Sequence, residues 1–160
     1  MTPESLPYAL LILLVELTVG GLWVLYFSQF RGQSTPSFVK FGAAMVAVVA
    51  VITLLVAAQI EIGDDVDGYP LDGSYAGELR WALAAVFGLT VLHTVATMRD
   101  HRIPALVLGG AASIAGLVAI AFLAQVIAGP TWGFALVFAS LTIAALVVGA
   151  VSQGMVLGHW

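Results

Sequence analysis

The chain has 160 residues, 61% of them apolar and 9% charged. Soluble domains carry roughly 45–50% apolar and about 25% charged residues, so an ordinary soluble domain is excluded and a polytopic membrane protein of one domain is indicated. The net charge of −4 belongs to one loop, since six of the nine acids fall between Glu61 and Glu78, and the five Lys and Arg residues are too scattered to form the basic patch that nucleic acid requires. No cysteine is present, which removes disulfides, thiolate chemistry and Cys-ligated zinc or iron–sulfur sites.

A spanning helix needs about 20 consecutive, mostly apolar residues. Five stretches qualify. The first covers residues 7–30, with Pro7 at the helix start, where its missing N–H costs nothing. No Lys or Arg precedes it and it is too long for a secretory signal core, so it is retained as a span. Arg31-Gly32 ends it, and residues 33–37 form a polar turn. The second span, 38–58, is rich in Ala and Val. Residues 60–76 form the one long loop, whose Asp, Gly and Pro content predicts turns. The third span is 77–98, followed by Arg99-Asp100-His101-Arg102, and the fourth is 103–128, with Pro104 in its first turn. Gly129-Pro130 turns the chain into the fifth, 131–157. The runs are uniformly apolar rather than alternating, which argues against barrel strands, and lipid offers backbone groups no partners outside a helix. The expected fold is therefore all-α, a five-span transmembrane helical bundle with residues 1–160 as a single membrane domain. The chain reaches Trp160 still helix-compatible and without a basic anchor, so further helices in a longer chain are part of the expectation.

Orientation follows from Lys and Arg in short connections. Arg31, Lys40, Arg99 and Arg102 flank the first and third connections, Arg80 alone flanks the second, and the fourth has none. This places the N-terminus outside and the C-terminus in the cytoplasm. Tyr8, Trp81 and Trp132 then fall at the outer border, and Phe30, Phe38 and Phe41 at the inner one.

Three residues are candidates for chemistry. Glu16, in LLILLVELTVGG, is the one acid inside a long apolar run. It lies roughly 14 Å along the helix from Pro7, at about 1.5 Å per residue, near mid-bilayer. An ionised, unpaired carboxylate there would cost several kcal/mol, so Glu16 is expected to be uncharged in the bundle. Gly20 shares its face and would let a neighbouring helix close over it. Its functional reading is a proton relay, a cation site or a substrate-binding carboxylate. Its bland reading is a neutral acid that joins two helices by a hydrogen bond. His93 sits in the third span with Thr90 and Thr97 on the same face, and reads as a haem ligand, a partner of Glu16, or a neutral imidazole bonded across helices. His159 follows the small-residue row Ala150, Gly154 and Gly158, which permits close helix contact or room for a flat macrocycle. Held by both histidines, haem b would be the cofactor, provided helix tilt brings them level.

Other features read more plainly. Asp64, Asp65, Asp67 and Asp72 lack the EF-hand spacing and read as a solvated loop. His101 reads as a solvated turn residue. Gly109, Gly110, Ala111, Ala112, Ser113 and Gly116 form a packing surface on the fourth span. No HExxH, phosphate-loop, GxGxxG or Ser-His-Asp pattern supports a soluble-type enzyme. The expected function is that of a membrane subunit of a redox or other multi-subunit complex, with a haem or proton-relay role, in a bacterial or archaeal inner membrane. Its expected partners are the lipid bilayer and either other membrane subunits or copies of itself. The alternatives are an ion- or proton-coupled transporter using Glu16 and an assembly protein without chemistry. Short loops, the lack of a Gly/Pro-broken span and the lack of an internal repeat favour the subunit.

The orientation is directly testable. In the single variants Asp67→Cys and Gln33→Cys, an impermeant thiol reagent added outside should label the first and spare the second. The reverse pattern would invert the topology.

Overall fold

A computed structural model of the chain describes residues 5–32, 34–128 and 132–157. Five long helices dominate it: α1 (Leu6–Arg31), α2 (Pro36–Gln59), α3 (Ala76–Met98), α4 (Arg102–Ala128) and α5 (Trp132–Leu157). All five are long and apolar enough to cross a membrane, and each boundary falls within two residues of the one expected from hydropathy. Local chemistry sets the ends. Thr35 caps α2 by accepting from the Phe38 N–H. Gly32, left-handed at φ 66°, closes α1 by donating to the Ser28 and Gln29 carbonyls. Asp100 takes the same left-handed role after α3, at φ 58°, and the His101 N–H reaches back to the Ala96 carbonyl at 3.0 Å.

Composition predicts only turns for residues 60–75, and the structure adds a small hairpin there. β1 (Asp65–Val66) pairs antiparallel with β2 (Tyr69–Pro70), so that Val66 faces Tyr69. The link is Asp67-Gly68, both at positive φ, the residue pair that a two-residue hairpin turn favours. A 3-10 turn, Gly73–Tyr75, follows and is capped by the Asp72 carboxylate.

Helices α1 to α4 form a ring in which sequence neighbours lie side by side and α4 closes on α1, while α5 docks mainly against α1. Lipid gives apolar helix faces little reason to prefer one another, so close packing and interhelical hydrogen bonds hold such bundles together. The Thr18 and Thr53 hydroxyls meet at 2.8 Å between α1 and α2, and the Thr53 hydroxyl donates to a carbonyl, Val49 at 2.8 Å or Leu14 at 3.2 Å. Thr94 donates to the Ala43 carbonyl across α2 and α3. The Trp23 Nε1–H donates to the Ser113 carbonyl across α1 and α4. Buried Leu11, Val15, Val19, Val86, Ile120 and Leu123 fill the core, and large apolar side chains such as Leu13, Leu55, Leu92, Ile114 and Ile143 face outward.

The tightest packing is between α1 and α5. A Cβ on Gly20 would collide with the Ala145 carbonyl, and one on Gly149 with the Gly20 backbone. The two helices run parallel, since Gly20 meets Ala145 and Gly149 while Gly21 meets Gln153 further along α5. This differs from the expected small-residue row. Ala150 and Gly154 are exposed and Gly154 faces open space, whereas Ala145, Gly149 and Gln153, rotated from them by about 100°, make the contact. Gly158 lies outside the described residues. Phe38 also departs from expectation. It is fully buried with Leu25, Val39 and Ala43 rather than placed at the inner border. Trp81, Phe30 and Phe41 are exposed, and the Trp132 side chain lies outside the described residues.

Gly149→Leu should destabilise the bundle by about 3 kcal/mol or more, because overpacking here meets backbone that cannot yield. Gly154→Ala should stay within about 0.5 kcal/mol of the parent. Unfolding in mixed detergent micelles measures both, and a tolerated Gly149→Leu would disprove this crossing.

Candidate functional site

The two ends of the bundle differ in charge. One end joins the α1–α2 and α3–α4 turns and gathers Arg31, Lys40, Arg99 and Arg102 against Asp100. The other carries Glu61, Asp64, Asp65, Asp67, Asp72 and Glu78 with Arg80. Arg80 is engaged. Its Nε donates to the Ala57 carbonyl at 3.1 Å and its Nη2 to the Ile60 carbonyl at 2.7 Å, which satisfies acceptors left over at the end of α2. At the basic end Lys40 Nζ lies 2.9 Å from Asp100 Oδ2 and ties one turn to the other. The Arg31 guanidinium rests over the Phe27 ring.

Beneath the basic end is a cavity of about 320 Å³, with Gln29, Lys40, Thr97, Asp100, His101 and Arg102 in its wall. Thr97 belongs to a polar row on one face of α3 with His93 and Thr90, at the i, i+3, i+4 spacing that aligns side chains on a helix. His93 is fully buried. Its Nδ1 lies 2.8 Å from the Ala105 carbonyl oxygen. A carbonyl only accepts, so Nδ1 carries the proton, and in the neutral ring Nε2 is a bare lone pair. Among the described residues that Nε2 has no hydrogen-bond partner, nor do the Thr90 and Thr97 hydroxyls or Gln29 Oε1; Gln125 Oε1, toward the opposite end, and Gln153 Oε1 are the others. Buried polar atoms are nearly always paired, so four orphans on neighbouring faces of α1 and α3 mark a polar site rather than plain core.

Glycine makes room for the imidazole. A Cβ on Gly109 would lie 3.0 Å from both His93 Nδ1 and Tyr26 Cδ2, and one on Gly110 would lie 3.3 Å from the Tyr26 hydroxyl. Gly116 receives Val19 of α1 in the same way. The small-residue surface expected on α4 is thus filled by α1 and by His93.

Glu16 is half-buried on α1. By helical periodicity it falls between Val19 and Trp23, which meet α4, and Gly20, which meets α5. The close approach expected at Gly20 is therefore made by α5. Glu16 has no ion pair among the described residues. Its expected partnership with His93 is not formed. His93 is level with Tyr26, ten residues along α1, which is about 15 Å of helix rise. His159 lies outside the described residues, and the paired-histidine haem geometry lies there with it. Among the described residues no three His, Asp or Glu side chains gather as a metal site.

Two polar groups that matter to the packing or the cavity escape a sequence reading. Gln153 of α5 is 4% exposed, and its amide lies in the gap left by Gly21 and Gly42, with Oε1 unpaired among the described residues. Gln29 reaches the cavity from α1. An uncharged polar residue in an apolar run is the only signal either gives. Comparison of the chain with protein-family models, with curated proteins and with solved structures finds no match.

The tautomer of His93 is measurable. Ring ¹⁵N NMR of the protein in lipid should show a neutral imidazole protonated at Nδ1, and a proton on Nε2 alone would contradict the bond to Ala105.

Proposed function

We propose that the chain is a multi-pass membrane subunit that handles protons at His93, rather than a carrier passing a solute through its centre. The observation that carries this reading is the bare Nε2 of His93, buried with its tautomer fixed by the Ala105 carbonyl. A lone pair held in one orientation is a proton acceptor in waiting, and its carbonyl partner stabilises the ring in either charge state. Thr97, one turn away, links its surroundings to the cavity at the basic end. The middle of the four-helix ring is packed with Val15, Val19, Val86 and Ile120, which argues against a solute path there. The gathering of Arg31, Lys40, Arg99 and Arg102 at one end supports an orientation with that end in the cytoplasm. Glu16 is the second proton-binding group in this reading, reached from the side of α1 that faces α4 and α5.

A specific feature also favours haem ligation. An imidazole that donates Nδ1–H to a backbone carbonyl and leaves Nε2 free has the arrangement that orients a ligand histidine. The absorption spectrum of the purified protein separates the two readings. A Soret band lost in His93→Leu assigns His93 to haem, and its absence leaves the proton role.

The proton role is tested by infrared difference spectra of the protein in lipid across a pH step. An imidazole band should disappear in His93→Gln and a carboxylic-acid band in Glu16→Gln. Spectra unchanged by His93→Gln would end this reading. Glu16→Gln should alter stability by no more than about 0.5 kcal/mol, because amide and neutral acid have similar shape and hydrogen-bonding capacity.

A further inference from the structure

The cavity at the basic end has a rim and a floor of different chemistry. The rim is open to the exterior and exposes His101 and Arg102. Lys40 and Asp100 are also there, but their contact cancels one charge of each sign, so Arg102 leaves the lining net positive. Two long helices begin at this rim, α2 at Pro36 and α4 at Arg102. Their N-terminal ends add partial positive charge, which suits an anion, although Pro36 has no N–H and the Phe38, Val39 and Ala105 N–H groups are already bonded. The floor is polar and unsatisfied. Thr97 is 5% exposed and lines the cavity, and its hydroxyl has no partner among the described residues. Gln29 Oε1, in the same wall, has none among them either. An anion at the rim does not by itself satisfy Gln29 Oε1, which needs a donor; a ligand hydroxyl supplies one.

We propose that this cavity binds a phosphate ester bearing free hydroxyls, with the phosphate at Arg102 and the two helix N-termini and the hydroxyls reaching Thr97 and Gln29. A glycerophosphate group has this chemistry, either as the head group of an anionic phospholipid or as a soluble polyol phosphate. The volume of about 320 Å³ is at the small end of ligand pockets, which run from roughly 300 to 1,000 Å³, and suits a head group rather than a whole lipid. On the proposed membrane orientation, position favours the lipid source: the cavity lies where four of the long helices end, which in a bilayer is near the lipid phosphates, and basic pockets between spans on the cytoplasmic side accept anionic head groups. This proposal stands apart from the proton role of His93, because neither rim nor floor requires that ring to change its protonation.

The full chain, purified in neutral detergent, is unfolded thermally with added phosphatidylglycerol, phosphatidylcholine, glycerol 3-phosphate or inorganic phosphate. Phosphatidylglycerol should raise the midpoint and phosphatidylcholine should not. A comparable rise with glycerol 3-phosphate assigns a soluble ligand, and a rise with phosphatidylglycerol alone assigns the lipid. Arg102→Gln, an exposed change that leaves the core intact, should need about tenfold more phosphatidylglycerol for the same rise, as expected for a lost charge-assisted contact. Thr97→Ser, which keeps the hydroxyl, should respond like the parent, and Thr97→Val should respond weakly. Equal responses to both lipids, or a full response in Arg102→Gln, would overturn the proposal.

Discussion

The contact of backbone with backbone at Gly20, Ala145 and Gly149 organises the bundle. In lipid there is no water to drive apolar faces together, so helices associate where small residues let their main chains approach. Here the approach is so close that no side chain fits at Gly20 or Gly149. It fixes α5 against α1 and sets their parallel register. It then carries Gln153, one turn beyond Gly149, into the gap at Gly21 and Gly42, so that a third helix, α2, is engaged through a buried amide. The same contact positions Glu16, one turn before Gly20, on the side of α1 shared by α4 and α5.

A second arrangement of the same kind holds α3 and α4. Gly109 clears space for the His93 ring, and the Ala105 carbonyl, one turn earlier on α4, accepts a hydrogen bond from its Nδ1–H. Helix packing and imidazole chemistry are thus not separable here. The glycine that lets α4 approach also fixes which nitrogen is left bare. Polarity at the middle of the helices is handled differently at Thr18 and Thr53, where each hydroxyl finds a partner and the pair joins α1 to α2. The contrast is informative, since a bundle that satisfies its central threonines leaves Thr90, Thr97, His93 and Gln29 without partners among the described residues toward one end, and Gln125 toward the other.

That end is also where the cations are. The acidic loop closes the opposite end through its hairpin, through Tyr8, which donates to the Glu61 carbonyl, and through the Asp72 N–H bonded to the Val126 carbonyl. Five acids in that loop therefore sit on a folded cap, and the cavities at that end are walled mainly by apolar residues such as Leu11, Ile62, Leu123 and Val126, whereas the cavity at the basic end has Gln29, Lys40, Thr97 and Arg102 in its wall.

The sequence by itself determined the helices. Five uniformly apolar runs, broken by Arg, Gly, Pro and Asp, give five long helices almost to the residue, each long and apolar enough to cross a membrane. It also singled out Glu16 and His93, since an ionisable group inside an apolar run is visible without any knowledge of neighbours. Only the tertiary structure decided which faces meet. The packing row on α5 is Ala145, Gly149 and Gln153 rather than Ala150 and Gly154, a rotation of about one residue. On a helix that is apolar all round, no periodic signal distinguishes one face from another. For the same reason Phe38 is core rather than border, and Gln29 and Gln153 were not legible as site and wedge. Both depend on residues more than 60 positions away, Thr97 and Arg102 for Gln29 and Gly21 and Gly42 for Gln153, and only the packed bundle brings those groups within reach.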